Sequence, residues 1–136
     1  MDLETSLQLS FAGMSAQSTR LRVIAENLAN AESTAQTPGG EPYRRQVVTF
    51  QSVLDKSIGA TTVKVAHIKP GGGSFERTYD PGNPGADAEG YVLKPNVNPL
   101  MELMDMREAQ RSYQANLDTI TAAKTMISRT IDLLRN

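Results

Sequence analysis

From Asn98 to the end of the chain, apolar residues recur in alternating steps of three and four. They are Leu103, Met106, Tyr113, Leu117, Ile120, Ile127, Ile131 and Leu134, with Gln110 and Lys124 as the polar members of the same line. This is a heptad seam sustained over several repeats, and it predicts one long C-terminal helix. Asn98 is a capping side chain and Pro99 stands at the first helical position, where its missing N–H costs nothing. After Pro99 neither glycine nor proline interrupts the pattern. Such a helix runs roughly 55 Å at about 1.5 Å per residue, longer than a single small core can cover. Its flanks carry Ala109, Gln114, Asn116, Thr121, Ala123, Ser128 and Thr130 in place of the paired Glu and Lys of a self-sufficient two-stranded coil. Between Tyr113 and Leu134 the charged residues are Asp118, Lys124, Arg129 and Asp132 alone. Small, neutral flanks predict a helix that packs against more than one neighbour; a helix of an ordinary four-helix bundle is the alternative.

The opposite end of the chain has the same design. Leu3, Leu7, Met14, Leu21, Ile24 and Leu28 follow three-four steps from about Asp2 to Ala29, with Ser10 and Gln17 as polar members. Phe11, Ala12, Ala16, Val23 and Ala25 widen the apolar surface. Gly13 costs about 1 kcal/mol relative to alanine inside a helix, which points to a close backbone contact or a bend. The middle has no helical period. Tyr43–Phe50 and Thr61–Ile68 read as strands, Ser74–Tyr79 and Tyr91–Lys94 as shorter ones, and Gln51–Ile58 as one or two helical turns. Thr37–Pro42, Pro70–Gly73 and Asp80–Gly90 read as turns. The fold class is therefore α+β: long N- and C-terminal helices packed as a coiled coil, with a small β-rich subdomain inserted between them. The expected division is 1–30 and 98–136 as helical arms of one inner domain, and 31–97 as a sheet of a few strands packed on the helix pair.

Composition removes several function classes. A formal net charge of −1 gives no electrostatic footprint for nucleic acid or an anionic membrane. The absence of cysteine excludes disulfides, thiolate catalysis and cysteine-ligated zinc. No apolar run reaches the length of a membrane span. The N-terminal segment carries Asp2 and Glu4 where a secretory signal carries Lys or Arg, so any export is expected to keep the N-terminus.

Candidate chemistry is sparse, and no enzyme is predicted. Pro70-Gly71-Gly72-Gly73-Ser74 lacks the lysine and following helix of a phosphate loop, which leaves a flexible turn. Asp80, Asp87 and Glu89 share one loop, but Pro81 and Pro84 break the alternating oxygen ligands that a calcium loop needs. His67 is the sole histidine and reads as a strand-surface residue. Arg44 and Arg45 read as a charged strand face or an inter-subunit contact. No catalytic, cofactor or metal residue is assigned, and no cofactor is expected.

Ala25-Glu26-Asn27-Leu28-Ala29-Asn30-Ala31 is similar to the motif that ends the N-terminal helix in flagellar rod and hook proteins, with Glu26 standing where that motif usually has Asn. Tyr79-Asp80-Pro81-Gly82-Asn83-Pro84, Ala86-Asp87, Gly90-Tyr91-Val92, Pro95-Asn96-Val97 and Arg111-Ser112-Tyr113-Gln114-Ala115-Asn116 come in the order found in proximal-rod members. Over nearly its whole length the chain resembles the flagellar axial rod and hook protein family. That resemblance implies a structural subunit of the basal-body rod, the periplasm-spanning drive shaft of motility. Terminal helices then form an inner coiled-coil tube with the β-rich part outside. Its partners would be other rod proteins, copies of itself and, during secretion, the flagellar type III export apparatus, with no cleaved signal. An open helical assembly uses heterologous contacts, so each helix meets different neighbours on different faces. The competing reading is a soluble helical adaptor or export chaperone that binds one partner helix. Its low helix charge would leave exposed apolar surface and an aggregation risk.

Overall fold

A computed structural model describes residues 2–135. Met1 and Asn136, which the expected arms include, lie outside the described residues. The element order is α1 (Leu3–Ala29), β1 (Gln46–Asp55), β2 (Ala60–Pro70), β3 (Glu76–Tyr79), β4 (Tyr91–Lys94) and α2 (Pro99–Arg135). Local chemistry sets both helix starts. Asp2 Oδ1 accepts from the Thr5 N–H at 2.7 Å. The Asn98 side chain accepts from the N–H groups of Leu100 and Met101, with Pro99 at the first position and Glu102 in the first turn. At the end of α1 the Asn30 amide reaches back to the Glu26 carbonyl, and its oxygen accepts from Ser33 Oγ.

The strands form two separate two-stranded sheets, β1-β2 and β3-β4, where one sheet was expected. β3 and β4 pair antiparallel, with Glu76 opposite Lys94 and Tyr79 opposite Tyr91. Gln51–Ile58 holds no helical turn. β1 continues to Asp55 because β2 satisfies its backbone, and the short turn over 56–59 permits only an antiparallel return. Asp55 Oδ1 accepts from both N and Oγ of Ser57, and Gly59 takes a φ of 61°, so the turn is set by side-chain capture and a left-handed glycine. The first strand also begins later than the apolar pattern implies. The N–H of Arg45 goes to Asn96 Oδ1 and that of Gln46 to Asn27 Oδ1, so side-chain acceptors occupy the backbone there.

The chain divides into two compact units. The first takes the residues up to Leu21, Thr49–His67 and those from Arg107 onward; the second takes Arg22–Val48 and Ile68–Met106. In the first unit, Gly13 lies against Asn116 and Arg20 meets Glu108 at 3.4 Å, so the two helices run antiparallel. Ser10, Ala16, Ala109, Ile120 and Ala123 are buried there, and Thr62 is the buried side chain of the hairpin. A shallow cavity of about 350 Å³ lies between Ala12, Ser15, Ala16 and Thr19 of α1 and Val63, Lys64 and Val65 of β2. In the second unit the core holds Val23, Ile24 and Val92, with Pro42 and Pro95 buried beside a set of polar side chains.

Candidate assembly interface

With Leu103 at the first heptad position, a, the lines along α2 meet different surroundings. The seventh-position line, g, runs Glu102, Ala109, Asn116 and Ala123; three of these are buried and Asn116 is half-buried. The fourth-position line, d, runs Met106, Tyr113 and Ile120, half-buried or buried, then Ile127 and Leu134, exposed. Leu103, Gln110, Leu117, Lys124 and Ile131, the a line, are all exposed. Small residues decide which edge turns inward. A Cβ on Gly13 would lie 2.8 Å from Asn116 Nδ2, and Ala16, Ala109 and Ala123 are almost wholly enclosed, so the helices approach through their smallest side chains. In this register Leu3 falls level with Met126, so among the described residues α1 does not reach the last turns of α2. Every residue from Lys124 to Arg135 is exposed, including Leu133 at 78% and Leu134 at 84%. On α1 the expected seam is better covered: Ile24 is buried and Leu3, Leu7, Met14, Leu21 and Leu28 are half-buried.

The second unit holds a connected polar cluster. Asn27 Oδ1 accepts from the Gln46 N–H at 2.9 Å and the Tyr43 hydroxyl at 2.8 Å. Its Nδ2 donates to the Gln46 carbonyl at 2.9 Å and to Glu102 Oε2 at 3.3 Å. One side chain thus mimics a strand partner for Gln46 and uses both its oxygen and its amide group. The other oxygen of Glu102 accepts from Arg45 Nε, and Arg45 Nη2 reaches Asp105 Oδ2 at 3.4 Å. Glu102 and Asn27 are 0% and 1% exposed, so their bonds are made out of reach of competing water. Burial, with Glu26 and Glu102 nearby, raises the pKa of the Tyr43 hydroxyl, which keeps it a donor.

The Asp80–Gly90 loop closes on itself. The Asp80 N–H donates to the Gly90 carbonyl at 2.9 Å, and Asp87 Oδ1 accepts from the N–H groups of Glu89 and Tyr91. Arg77 Nη2 donates to Asp87 at 2.9 Å and Glu89 at 2.7 Å while its guanidinium stacks 4.1 Å from the Tyr91 ring centroid. Hydrogen bonds from the Tyr91 N–H and from Arg77 hold the Asp87 carboxyl below the usual carboxylate range. Gly90 is left-handed at φ 86° under the Tyr79 ring, and Tyr79 and Tyr91 meet edge to face at 5.3 Å. Gly85 packs directly on the Ala35 carbonyl, where any side chain would collide. The two acidic groups are thus engaged in holding the loop together. Among the described residues no cluster of three or more His, Cys, Asp or Glu could hold a metal ion.

The sequence matches known proteins at both helical ends and over nearly its whole length. Residues 7–35 match the family described as flagella basal body rod protein, and residues 88–133 the one described as flagellar basal body rod FlgEFG protein C-terminal. A flagellar basal-body rod protein FlgC from Agrobacterium fabrum is 50% identical over 133 residues, covering 98% of this chain and 96% of its own length. FlgC of Salmonella typhimurium is 42% identical over 98% of each chain, and FlgC of Bacillus subtilis 38% identical over 94% of this chain and 95% of its own. The chain belongs to the FlgC family of flagellar basal-body rod proteins. These relatives are named as rod proteins, so a structural rod subunit is the reading that stands, and a soluble adaptor is not favoured.

The residues that carried the family resemblance in the sequence occupy three places. Asn27, Leu28, Ala29 and Asn30 end α1, Asn27 inside the polar cluster and Asn30 as a cap. Tyr79, Asp80, Pro81, Asn83, Pro84, Ala86, Asp87, Gly90 and Tyr91 make the closed loop, which Asn83 ties to Thr34. Just beyond it Pro95 is buried, and Asn96 joins Arg45 to the Gly72 carbonyl. Ser112, Tyr113, Gln114, Ala115 and Asn116 lie mid-α2, where Asn116 packs on Gly13 and Gln114 bonds Asp118. Sequence reasoning missed Tyr43, Gln46, Glu102 and Asp105. Glu102 reads as an ordinary acidic residue of a first helical turn, and the one hint was its place on an otherwise small-residue line.

Proposed function

We propose that this chain builds the rod with its two terminal helices. In that reading residues 1–30 and 98–136 join an inner coiled-coil layer and residues 31–97 pack outside it. Other rod proteins and further copies of this chain supply its neighbours within a shaft that crosses the periplasm. The subunit reaches its place through the flagellar type III export apparatus with its N-terminus retained, and no enzymatic step is needed. The observation that carries the reading is the a line of α2. Leu103, Leu117 and Ile131 are exposed while α1 already lies against the g edge, where Gly13 meets Asn116. A second helix against that line removes apolar surface from water at about 25 cal/mol per Å². The polar members Gln110 and Lys124 on the same line are suited to setting register.

Charge on the a line tests the proposal. A strain lacking its own copy, complemented with Leu117→Asp or Ile131→Asp, is expected to export the protein at parental levels yet lose the subunit from isolated basal bodies and stop swimming. Parental motility from both variants would remove the a line as an assembly surface.

A further inference from the structure

The last turns of α2, Lys124–Arg135, are exposed at every residue. Lys124, Arg129 and Arg135 stand there against the single acid Asp132, and none of the four takes part in an ion pair among the described residues. The segment is therefore positive within a chain whose net charge is −1, an excess that the whole-chain value conceals. Its side chains are also sorted around the helix. At about 100° per residue, Leu133, Met126, Leu134, Ile127 and Ile131 follow one another over an arc of about 160°, with Thr130 among them. Lys124 and Arg135 lie within about 40° of one border of that arc, and Arg129 about 40° beyond the other. Asp132 falls opposite the middle of the arc, between Ser128 and Thr125. A seam between two helices accounts for only part of this arrangement. Ile127, Ile131 and Leu134 hold a and d positions, but Met126 and Leu133 hold the third position, c, which such a seam leaves in water. They are large, apolar and exposed at 58% and 78%.

We propose that the last turns of α2 form a surface that adsorbs to a bilayer rich in anionic lipids. They lie along the interface, with the apolar arc at the acyl boundary and the border cations among the headgroups. Among the described residues no helix is long and apolar enough to cross a membrane, so the segment rests on the bilayer and does not span it. A flat interface covers an arc this wide, Met126 and Leu133 included, where one partner helix covers a narrower stripe. Long Lys and Arg stems reach from the borders to the headgroups while burying their methylenes. Asp132, the one group an anionic surface repels, takes the position farthest from it. The segment need not be helical beforehand, because the interface supplies the apolar partner that so short a helix lacks in water. This contact belongs to the subunit outside the rod. Once a neighbour covers the a and d edges, as in the function proposed above, the same turns are withdrawn from lipid.

Vesicle binding by the purified full chain tests this without rod assembly, so a negative result leaves the rod reading standing. The protein is expected to sediment with vesicles of phosphatidylglycerol and phosphatidylcholine in equal parts, and to gain helix by circular dichroism as it binds. Binding to phosphatidylcholine alone should be weaker by about tenfold or more. Raising salt from about 0.1 M to about 1 M shortens the screening length from about 10 Å to about 3 Å and should weaken binding to the anionic vesicles. Each basic residue at such a surface contributes on the order of fivefold, so Lys124→Gln, Arg129→Gln and Arg135→Gln together should weaken binding on the order of a hundredfold. Met126→Ser with Leu133→Ser should weaken it by about tenfold or more through lost apolar burial. Asp132→Asn should change it by less than about twofold, since its charge lies farthest from the lipid. Three results overturn the proposal. One is absence of binding, or equal binding to both kinds of vesicle. Another is parental binding by the Met126 and Leu133 double variant, which assigns the wide arc to protein neighbours. The last is a gain from Asp132→Asn as large as the loss from one basic substitution, which signals charge attraction without a defined face.

Discussion

The first turns of α2 and its last turns lie on one helix with one heptad pattern, yet they are built on opposite principles. At Glu102 the helix is held by a buried carboxylate, a guanidinium and an amide, each bonded to a named partner. At Ile127, Ile131 and Leu134 the same pattern is left exposed. One end is over-determined by direction and the other is undetermined until something covers it. The difference is that a buried polar contact specifies geometry, whereas an exposed apolar edge specifies only that a partner of suitable shape is needed. In the function proposed above, a structural subunit uses both: one end defines its own shape and the other is left for neighbours to complete.

The buried end should be the more sensitive to a single substitution. Arg45→Met leaves Glu102 buried without its cation and is expected to cost about 3 kcal/mol in urea unfolding of the monomer. A loss under about 1 kcal/mol would mean that the carboxylate finds water or another donor.

Closer to the middle of the helix, Gly13→Ala sets the gain in helix propensity, about 1 kcal/mol, against overpacking on Asn116, about 1–3 kcal/mol. Asn116 is held by its bond to the Ser112 carbonyl, so the clash should win, with a net loss of about 1 kcal/mol. Adding Asn116→Ala should reverse the sign, and unfolding of the double variant by denaturant checks it. If Gly13→Ala alone stabilises the protein, the close approach of the helices is looser than 2.8 Å requires.

A weaker effect is expected from acid at the closed loop. The Asp87 carboxyl has a lowered pKa, because the Tyr91 N–H and Arg77 bond its charged form. Its contribution is therefore complete above the ordinary carboxylate value of 3.8 and fades as pH falls through the lowered folded value. Asp55, bonded by Ser57, and Asp2, bonded by Thr5, act in the same direction. Asp87→Asn keeps an acceptor at Oδ1 and should reduce the slope of stability against pH below about 4, read from urea midpoints. An unchanged slope assigns the acid dependence elsewhere.

The smallest effect belongs to the exposed end. Ile131→Asp should leave monomer stability within about 0.5 kcal/mol, because an exposed residue has little packing to lose. A larger loss would show that the last turns already have a partner in the monomer.

Which of these features could be read beforehand depends on their range in sequence. The Asn98–Pro99 start and the unbroken pattern to Leu134 are local and periodic, and α2 spans Pro99–Arg135 accordingly. Tyr91–Lys94 matched residue for residue, being bounded by Gly90 and Pro95. Gln51–Ile58 misled because isolated polar and apolar residues there fit a short helix as well as a strand, and only pairing with β2 decides between them. Glu102 was invisible because its partners, Asn27 and Arg45, are 75 and 57 positions away.

Interactions between residues a few positions apart are written into the chain directly. They set the two helices and their caps, the α+β class, the turn glycines and the heptad line of α2. Which edge of α2 is used first was settled only by packing in three dimensions. The choice fell on the small-residue edge of Ala109, Asn116 and Ala123, because Gly13 and Ala16 let two backbones approach there and the bulkier a line cannot. Packing also settled that a glutamate could be buried, since Asn27 and Arg45 reach its carboxylate only when both ends of the chain arrive at the same place.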